Sequence, residues 1–102
     1  MVIRYKKIGD TTTVFLEGEL DHHSAAEVKE KLNKIIKSKL ASQMVLDMKE
    51  MAFMDSAGIG VLLSGYKQFK KMGGKMYVKN LNNQTDKLFK IAGLYQVIKK
   101  ID

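Results

Sequence analysis

Five short stretches of the chain are rich in apolar, β-branched or aromatic residues, and they predict β-strands. They are residues 2–7, 12–18, 43–48, 75–79 and 96–101. The third stretch, QMVLDM, is nearly all apolar, which is typical of a strand covered on both faces. Because proline is absent, glycine and polar clusters mark the turns between these elements.

Three other stretches carry apolar residues at helical spacing, and they predict amphipathic helices. Their apolar positions are Ala25, Val28, Leu32, Ile35 and Ile36; then Ile59, Leu62, Leu63, Tyr66 and Phe69; and finally Leu88, Phe89 and Ala92. Ser24 and Glu27 predict a capping box at the start of the first helix, which spans residues 24–38. Gly73 ends the second helix, and the third begins near residues 82–83.

The predicted elements follow the order β-β-α-β-α-β-α-β, which indicates an α/β fold and a single domain over residues 1–102. Strands that alternate with amphipathic helices favour a mixed, largely parallel sheet joined by right-handed crossovers. In such sheets, function is carried by loops at the carboxyl ends of strands. Two loops fit this description, GELDHHS at 18–24 and FMDSAG at 53–58, and neighbouring strands would bring them to one edge.

Ser56 stands where a strand-like stretch gives way to the second helix, and we expect its side chain to cap the open backbone amides there. The small residues Ala57, Gly58 and Gly60 leave the surrounding backbone open to close approach by another molecule. A hydroxyl at this position is also a candidate phosphate acceptor, because the helix dipole and the open amides tolerate an anion.

Enzymatic alternatives would use the same two loops. A serine hydrolase needs a base, and only His22 and His23 are available. Asp21 or Asp55 could orient that base, but Met54 stands where the nucleophile-elbow pattern requires glycine. A nucleotide-binding loop is a weak match, since the glycines of GIGVLLSG lie inside a helical pattern with no following lysine–serine pair. Adjacent histidines rarely bind one metal ion, so we predict no metal site. These weak motif matches also give no support for an enzyme or for a bound cofactor.

The net charge of +7 resides in one part of the chain. Residues 61–102 hold nine lysines and two aspartates, whereas positive and negative charges balance in residues 1–60, where the only arginine is Arg4. We therefore expect a solvated lysine face rather than a specific nucleic-acid site, which would favour arginines and exposed aromatics. With no cysteine, no signal pattern and no apolar run that could cross a bilayer, the chain is expected to be cytoplasmic.

Two separated motifs resemble those of a known family. GELDHHSA at 18–25 and FMDSAGIGVLLSGYK at 53–67 closely resemble the anti-sigma-factor antagonists, the bacterial single-domain branch of the STAS family. GGKMYV at 73–78 and LFKIAGL at 88–94 extend the likeness through nearly the whole chain. The resemblance implies a STAS-like fold.

The resemblance also implies a regulatory role without catalysis. In that family the unphosphorylated antagonist binds an anti-sigma factor that is also an ATP-dependent serine kinase, and this binding frees the sigma factor. The kinase phosphorylates the serine after the MD pair, here Ser56, and a PP2C-type phosphatase reverses the modification. The free protein is expected to be a monomer. The alternative is a STAS interaction module of another sensory assembly.

Both loops are expected to contact the partner. The expected partner-binding residues are Asp21, His22, His23, Ser24, Met54, Asp55, Ser56, Ala57, Gly58, Ile59 and Gly60. Asp21 is expected to serve partner binding rather than stability, with helix capping beside Ser24 as the alternative. Many relatives have a second hydroxyl after the acceptor serine, where this chain has Ala57, so Ser56 is the single expected phosphorylation site.

Overall fold

The computed structural model describes residues 1–38 and 41–102, which form a mixed β-sheet with helices packed against it. The strands are β1 (Val2–Ile8), β2 (Thr11–Leu20), β3 (Gln43–Asp47), β4 (Met51–Met54), β5 (Lys75–Lys79) and β6 (Lys99–Lys100). The helices are α1 (Ala25–Lys37), α2 (Ser56–Lys71) and α3 (Asn83–Ala92), and a 3₁₀ turn at Leu94–Gln96 precedes β6. The predicted α/β class with a largely parallel sheet is confirmed.

Strand β2 organises the sheet because it pairs with three neighbours. It lies antiparallel to β1, whereas β3 and β4 both lie parallel to it. The first half of β2, Thr11–Phe15, pairs with β3, and its last residues, Gly18–Leu20, pair with β4, with a register shift between Gly18 and Glu19. Strands β5 and β6 continue the sheet beyond β3. The carboxyl ends of β2 and β4 therefore lie side by side.

The predicted element order lacks one strand. Residues 51–54 form β4 rather than part of a loop, and only four residues after a tight turn give too short a pattern to indicate a strand. The predicted last strand, 96–101, is also wrong in extent, because only Lys99–Lys100 pair with β5. Strand β2 continues to Leu20, because its pairing with β4 begins at Gly18 and runs through a register shift to Leu20.

The main core lies between the sheet and the helices. Thr12, Val14 and Leu16 of β2 are buried while the residues between them are half-buried, as expected for a strand with one well-covered face. The helices contribute buried apolar residues to the same core, namely Val28, Leu32, Ile36, Val61, Leu62, Phe69 and Phe89. Each fully buried side chain of this size contributes roughly 1.5–3 kcal/mol. This packing fixes α2 against β2 and β4.

Candidate functional site

Asp55 joins the two predicted loops. It is the N-cap of α2, and its Oδ1 accepts hydrogen bonds from the amides of Ala57 and Gly58 at 2.9 and 3.2 Å. Its Oδ2 accepts from the backbone amide of His22 at 3.1 Å. The Asp55 amide donates to the carbonyl oxygen of Leu20 at 3.2 Å. The loops after β2 and β4 therefore meet at one edge of the sheet, as predicted. We call residues 20–24 and 53–60 the Ser56 edge.

The carboxyl group of Asp55 has a lowered pKa. Partial burial acts to raise this pKa, but the amides of Gly58, His22 and Ala57 together outweigh that effect. The side chain of His22 also lowers the pKa of Asp55, since its Nδ1 lies 3.6 Å from Oδ2 of Asp55. Asp55 is therefore ionised at neutral pH, and it places a negative charge one residue before Ser56.

Ser56 is the first residue of α2, and it is exposed. The prediction that Ser56 caps the helix is wrong, because Asp55 occupies the N-cap position and binds the first open amides. Both residue types are good caps, so the sequence left the choice between these neighbours undecided. The hydroxyl of Ser56 is consequently not needed to start the helix. It is held on a rigid element and remains accessible to a second protein.

The small residues that follow Ser56 serve different purposes. Gly58 is buried, and a Cβ added there would lie 2.5 Å from Cγ of Met54 and 2.8 Å from the carbonyl oxygen of Leu20. Glycine is therefore required at position 58 by the close packing of α2 on β2 and β4, not by an approaching molecule. Gly60 is exposed, and a Cβ there would meet nothing within 4 Å. Of these two glycines, only Gly60 leaves open space at the surface of the helix.

The structure divides the expected partner-binding residues into three groups. Met54 and Gly58 are buried, so they shape the Ser56 edge from beneath instead of contacting a partner. The exposed residues are His22, His23, Ser56 and Gly60. The half-buried residues are Asp21, Ser24, Asp55, Ala57 and Ile59.

Asp21 and Ser24 together order the turn that leads into α1, and the hydroxyl oxygen of Ser24 accepts from the Asp21 amide at 3.1 Å. Its Oδ1 accepts from the amides of His23 and Ser24 at 2.9 and 3.1 Å, and the Ser24 amide is the main reason that the pKa of Asp21 is lowered. The hydroxyl of Ser24 also donates to the carbonyl oxygen of Glu19 at 3.0 Å and makes no cap bond to α1. The predicted capping box is therefore wrong. The two amides that the Asp21 side chain binds precede α1, so Asp21 orders the turn before the helix and does not cap it.

The adjacent histidines lie at the surface of the Ser56 edge. The rings of His22 and His23 stack with their centroids 3.9 Å apart and their planes tilted by 39°. Within residues 1–38 and 41–102, no group of three or more histidine, aspartate or glutamate side chains could hold a metal ion. In the same ranges no helix has the length and apolar character needed to cross a membrane.

Two polar residues at the start of α3 hold β4 in place, and neither was predicted from the sequence. The side-chain amide of Gln84 donates to the carbonyl oxygen of Met54 at 2.7 Å and accepts from its amide at 3.2 Å. Asn82 donates to the carbonyl oxygen of Met51 at 2.9 Å and caps α3 by accepting from the Thr85 amide at 2.8 Å. These side chains satisfy backbone groups of β4 that have no strand beside them.

Phe53 is a further residue of the Ser56 edge that was not predicted. It is 42% exposed and lies opposite Glu19 in the pairing of β4 with β2. In the sequence it belongs to a bulky apolar pair with Met54, which suggests a core strand. Only the structure separates the exposed Phe53 from the buried Met54. An exposed aromatic ring is typical of protein-binding surfaces.

Comparison with known proteins adds to this geometry. The family model of the STAS domain matches residues 2–102. The chain belongs to the STAS domain family. This STAS domain is 36% identical over 85 residues to the anti-sigma F factor antagonist of Paenibacillus polymyxa, a match that covers 83% of the chain and 73% of that relative. It is 34% identical over 85 residues to the anti-sigma-B factor antagonist of Bacillus subtilis, covering 83% and 76% of the two chains.

Solved structures confirm the STAS-like fold. The anti-sigma factor antagonist SpoIIAA in its unphosphorylated form matches this STAS domain with a TM-score of 0.75 and 22% identity, over 99% of this chain and 88% of that one. The phosphorylated form of SpoIIAA, a Bacillus cell fate determinant, matches with a TM-score of 0.74 and 22% identity, over 99% and 92%. At 22% identity, the likeness to SpoIIAA shows that the fold is shared and nothing more.

Proposed function

We propose that this protein is an anti-sigma factor antagonist. In its unphosphorylated form it binds an anti-sigma factor that is also a serine kinase, and the sigma factor is released. Phosphorylation of Ser56 ends the binding. The two curated relatives, named as antagonists of anti-sigma F and anti-sigma-B factors, support this role. The observation that carries the proposal is the exposed position of Ser56 as the first residue of α2, on an edge built from two loops.

The kinase docks on the Ser56 edge. The hydrogen bonds of Asp55 to His22 and to the start of α2 keep both loops in one arrangement. Phe53 supplies an exposed apolar surface, and Gly60 leaves room for close approach. The protein is the substrate and ligand in this encounter, and we assign it no catalytic residue.

Phosphoryl transfer uses the hydroxyl of Ser56 as the acceptor. A bond forms between Oγ and the γ-phosphorus of the kinase-bound ATP, and the bond from that phosphorus to the departing ADP breaks. The hydroxyl proton passes to a base of the kinase. This chain contributes the position of the hydroxyl, which the helix holds at the surface. A PP2C-type phosphatase hydrolyses the ester and regenerates the antagonist.

The phosphate acts through charge at the Ser56 edge. The sequence suggested that the helix amides would bind the phosphate oxygens, but the amides of Ala57 and Gly58 already donate to Asp55. A phosphoserine, with a charge of about −1.5 to −2, therefore adds to the ionised Asp55 instead of being neutralised by those amides. A kinase surface complementary to the unmodified edge is then repelled.

Phosphorylation of variants with the cognate kinase and ATP tests this proposal. We expect intact-mass analysis to show one added phosphoryl group on the wild type and none on Ser56→Ala. Ser38→Ala, which removes another exposed serine at the opposite end of a helix, should be modified like the wild type. Modification of Ser56→Ala would show that Ser56 is not the acceptor. A wild-type chain that neither binds nor is modified by the kinase would place this STAS domain in another assembly.

The amide chemical shifts of the two forms test how the switch acts. For a local change of charge, we expect differences between phosphorylated and unmodified protein to be confined to residues 20–24 and 53–62. Differences that spread through the sheet and α3 would contradict this mechanism and indicate a conformational change.

A further inference from the structure

A groove lies at the end of α2 far from Ser56. Its volume is about 410 Å³, and it is bounded by the last turns of α2, by β5 and by the segment around β6. Tyr66, Tyr77 and Val97 provide its apolar surface, and Lys70, Lys75 and Lys99 provide its charge. We call these six residues the lysine groove.

The charge around the lysine groove is of one sign. Lys67 and Lys71 extend it along α2, in a shallow depression that shares Tyr66, Lys70 and Val97 with it. No acidic residue lines either depression. The two aspartates in this part of the chain bind elsewhere, Asp86 to Tyr95 and Lys90, and Asp102 to the backbone amide of Asn80. Five of the nine lysines of residues 61–102 thus surround one concave surface.

The apolar surface of the groove favours a protein segment over other anions. Val97 is 36% exposed, and the two tyrosines are half-buried, which limits the ring faces on which nucleic-acid bases could stack. The only arginine, Arg4, lies on β1, so no arginine fork is available there. Among the described residues no buried side-chain nitrogen or oxygen lacks a hydrogen-bond partner. The groove therefore offers no unpaired buried group to orient a small ligand.

We propose that the lysine groove docks an acidic, amphipathic segment of a second partner protein. The apolar side chains of the segment pack on the tyrosines and Val97, and its carboxylates face the surrounding lysines. Lys70 follows Ser56 by fourteen residues on α2, which corresponds to roughly 21 Å along a helix. The groove is therefore separate from the Ser56 edge, and it can be occupied whether or not Ser56 is phosphorylated.

Amide chemical-shift mapping with a defined probe tests the proposal. The probe is a synthetic peptide of about fourteen residues in which leucine and glutamate repeat at helical spacing. A peptide with lysine in place of each glutamate serves as its control. We expect the acidic peptide, but not the control peptide, to shift the amide signals of residues 66–77 and 97–99. The affinity of the acidic peptide should be equal for the unmodified and the phosphorylated protein. Shifts elsewhere, no shifts, or equal binding of the two peptides would overturn the proposal.

Two charge-matched variants separate the groove from the overall charge. Lys70→Glu/Lys99→Glu should weaken binding of the acidic peptide at least tenfold, whereas Lys29→Glu/Lys37→Glu, with the same net charge on exposed positions of α1, should weaken it much less. Equal weakening by both variants would show that only the net charge matters. A single-stranded DNA of about fifteen nucleotides should bind more weakly than the acidic peptide. If this DNA instead displaces the peptide at lower concentration, the groove is a nucleic-acid surface. Unchanged kinase binding by Lys70→Glu/Lys99→Glu keeps this test independent of the proposed function.

Discussion

The side chain of Gln84 pairs with the backbone of Met54 as a neighbouring strand would, donating to its carbonyl oxygen at 2.7 Å and accepting from its amide at 3.2 Å. Met54 ends β4 and directly precedes Asp55, the N-cap of α2. The start of α3 therefore determines where β4 ends and, through Asp55, how Ser56 is presented. We therefore expect Gln84 to act as a positioning residue for Ser56, the proposed phosphorylation site.

Replacement of Gln84 by alanine should loosen the Ser56 edge. Both hydrogen bonds to Met54 are lost, and at about 1 kcal/mol each we expect the free energy of unfolding to fall by about 1–2 kcal/mol. Hydrogen exchange at Met54 and Asp55 should quicken, and the kinase should phosphorylate Ser56 more slowly. Gln68→Ala on α2 is the control. If Gln84→Ala behaves like Gln68→Ala in all three measurements, the positioning role is wrong.

Alanine at the two glycines near Ser56 should have opposite effects. At position 58 the new Cβ would lie 2.8 Å from a backbone oxygen, that of Leu20, which cannot move without disturbing β2. We expect Gly58→Ala to lower the free energy of unfolding by about 1–3 kcal/mol. At position 60 the Cβ meets nothing, and alanine should stabilise the helix by up to about 1 kcal/mol. Urea denaturation measures both, and destabilisation by both variants would contradict the packing role of Gly58.

The stability of the protein should depend on the ionisation of Asp55. Because its pKa is lowered in the folded protein, ionised Asp55 stabilises the fold above the ordinary aspartate pKa of about 3.9. That contribution is lost as the pH falls through the lower pKa of the folded state. Asp55→Asn replaces one acceptor by a donor that faces the His22 amide, so we expect a melting temperature several degrees lower at pH 7.

Thermal melts between pH 7 and pH 2 provide the measurement for Asp55. The difference between wild type and Asp55→Asn should narrow below about pH 3.9, since protonation removes the same negative charge from the wild type. Glu30→Gln, which changes an exposed carboxylate on α1, serves as the control variant in the same melts. A difference that stays constant across this range would mean that the ionised form of Asp55 does not stabilise the fold.

Phe53 should be an anchor for the kinase on the Ser56 edge. We expect Phe53→Ala to weaken kinase binding about tenfold or more, because exposed aromatic residues dominate many protein interfaces. Phe53→Ala should lower the free energy of unfolding by much less than the roughly 3–5 kcal/mol that is typical when a buried phenylalanine is replaced by alanine. Tyr5→Ala, at a 53% exposed aromatic residue on β1, is the control for kinase titrations and melts. Normal kinase affinity of Phe53→Ala would exclude the anchor role.

Most of the fold could be predicted from the sequence because its signals are local. The apolar spacing of each helix lies within that helix, and Gly73 follows two residues after the end of α2. The structure places all three helices where the spacing predicts them. Strand β4 was missed because it has only four residues and owes its existence to pairing with the end of β2. A contact between distant parts of the chain leaves no periodic signal.

The candidate site was predicted in outline, and its internal contacts were not. The convergence of the loops at 18–24 and 53–58 follows from the topology of a parallel sheet, so it could be predicted. Whether Asp55 or Ser56 caps α2 depends on a shift of one residue, which composition alone does not resolve. The bonds of Gln84 join residues thirty positions apart, and the concave arrangement of the lysines depends on β5 and β6 meeting α2.

The division of β2 between two neighbours has a kinetic consequence. Since the last residues of β2 are paired with β4, the segment that leads from β4 into Ser56 has its conformation before any partner arrives. Association then requires no folding of that loop and loses little conformational entropy there, so we expect the rate constant of ordinary preorganised docking, about 10⁵–10⁷ M⁻¹s⁻¹. The charge added by phosphorylation would then lower this association rate constant by repulsion and shorten the lifetime of each complex, without any refolding of the Ser56 edge.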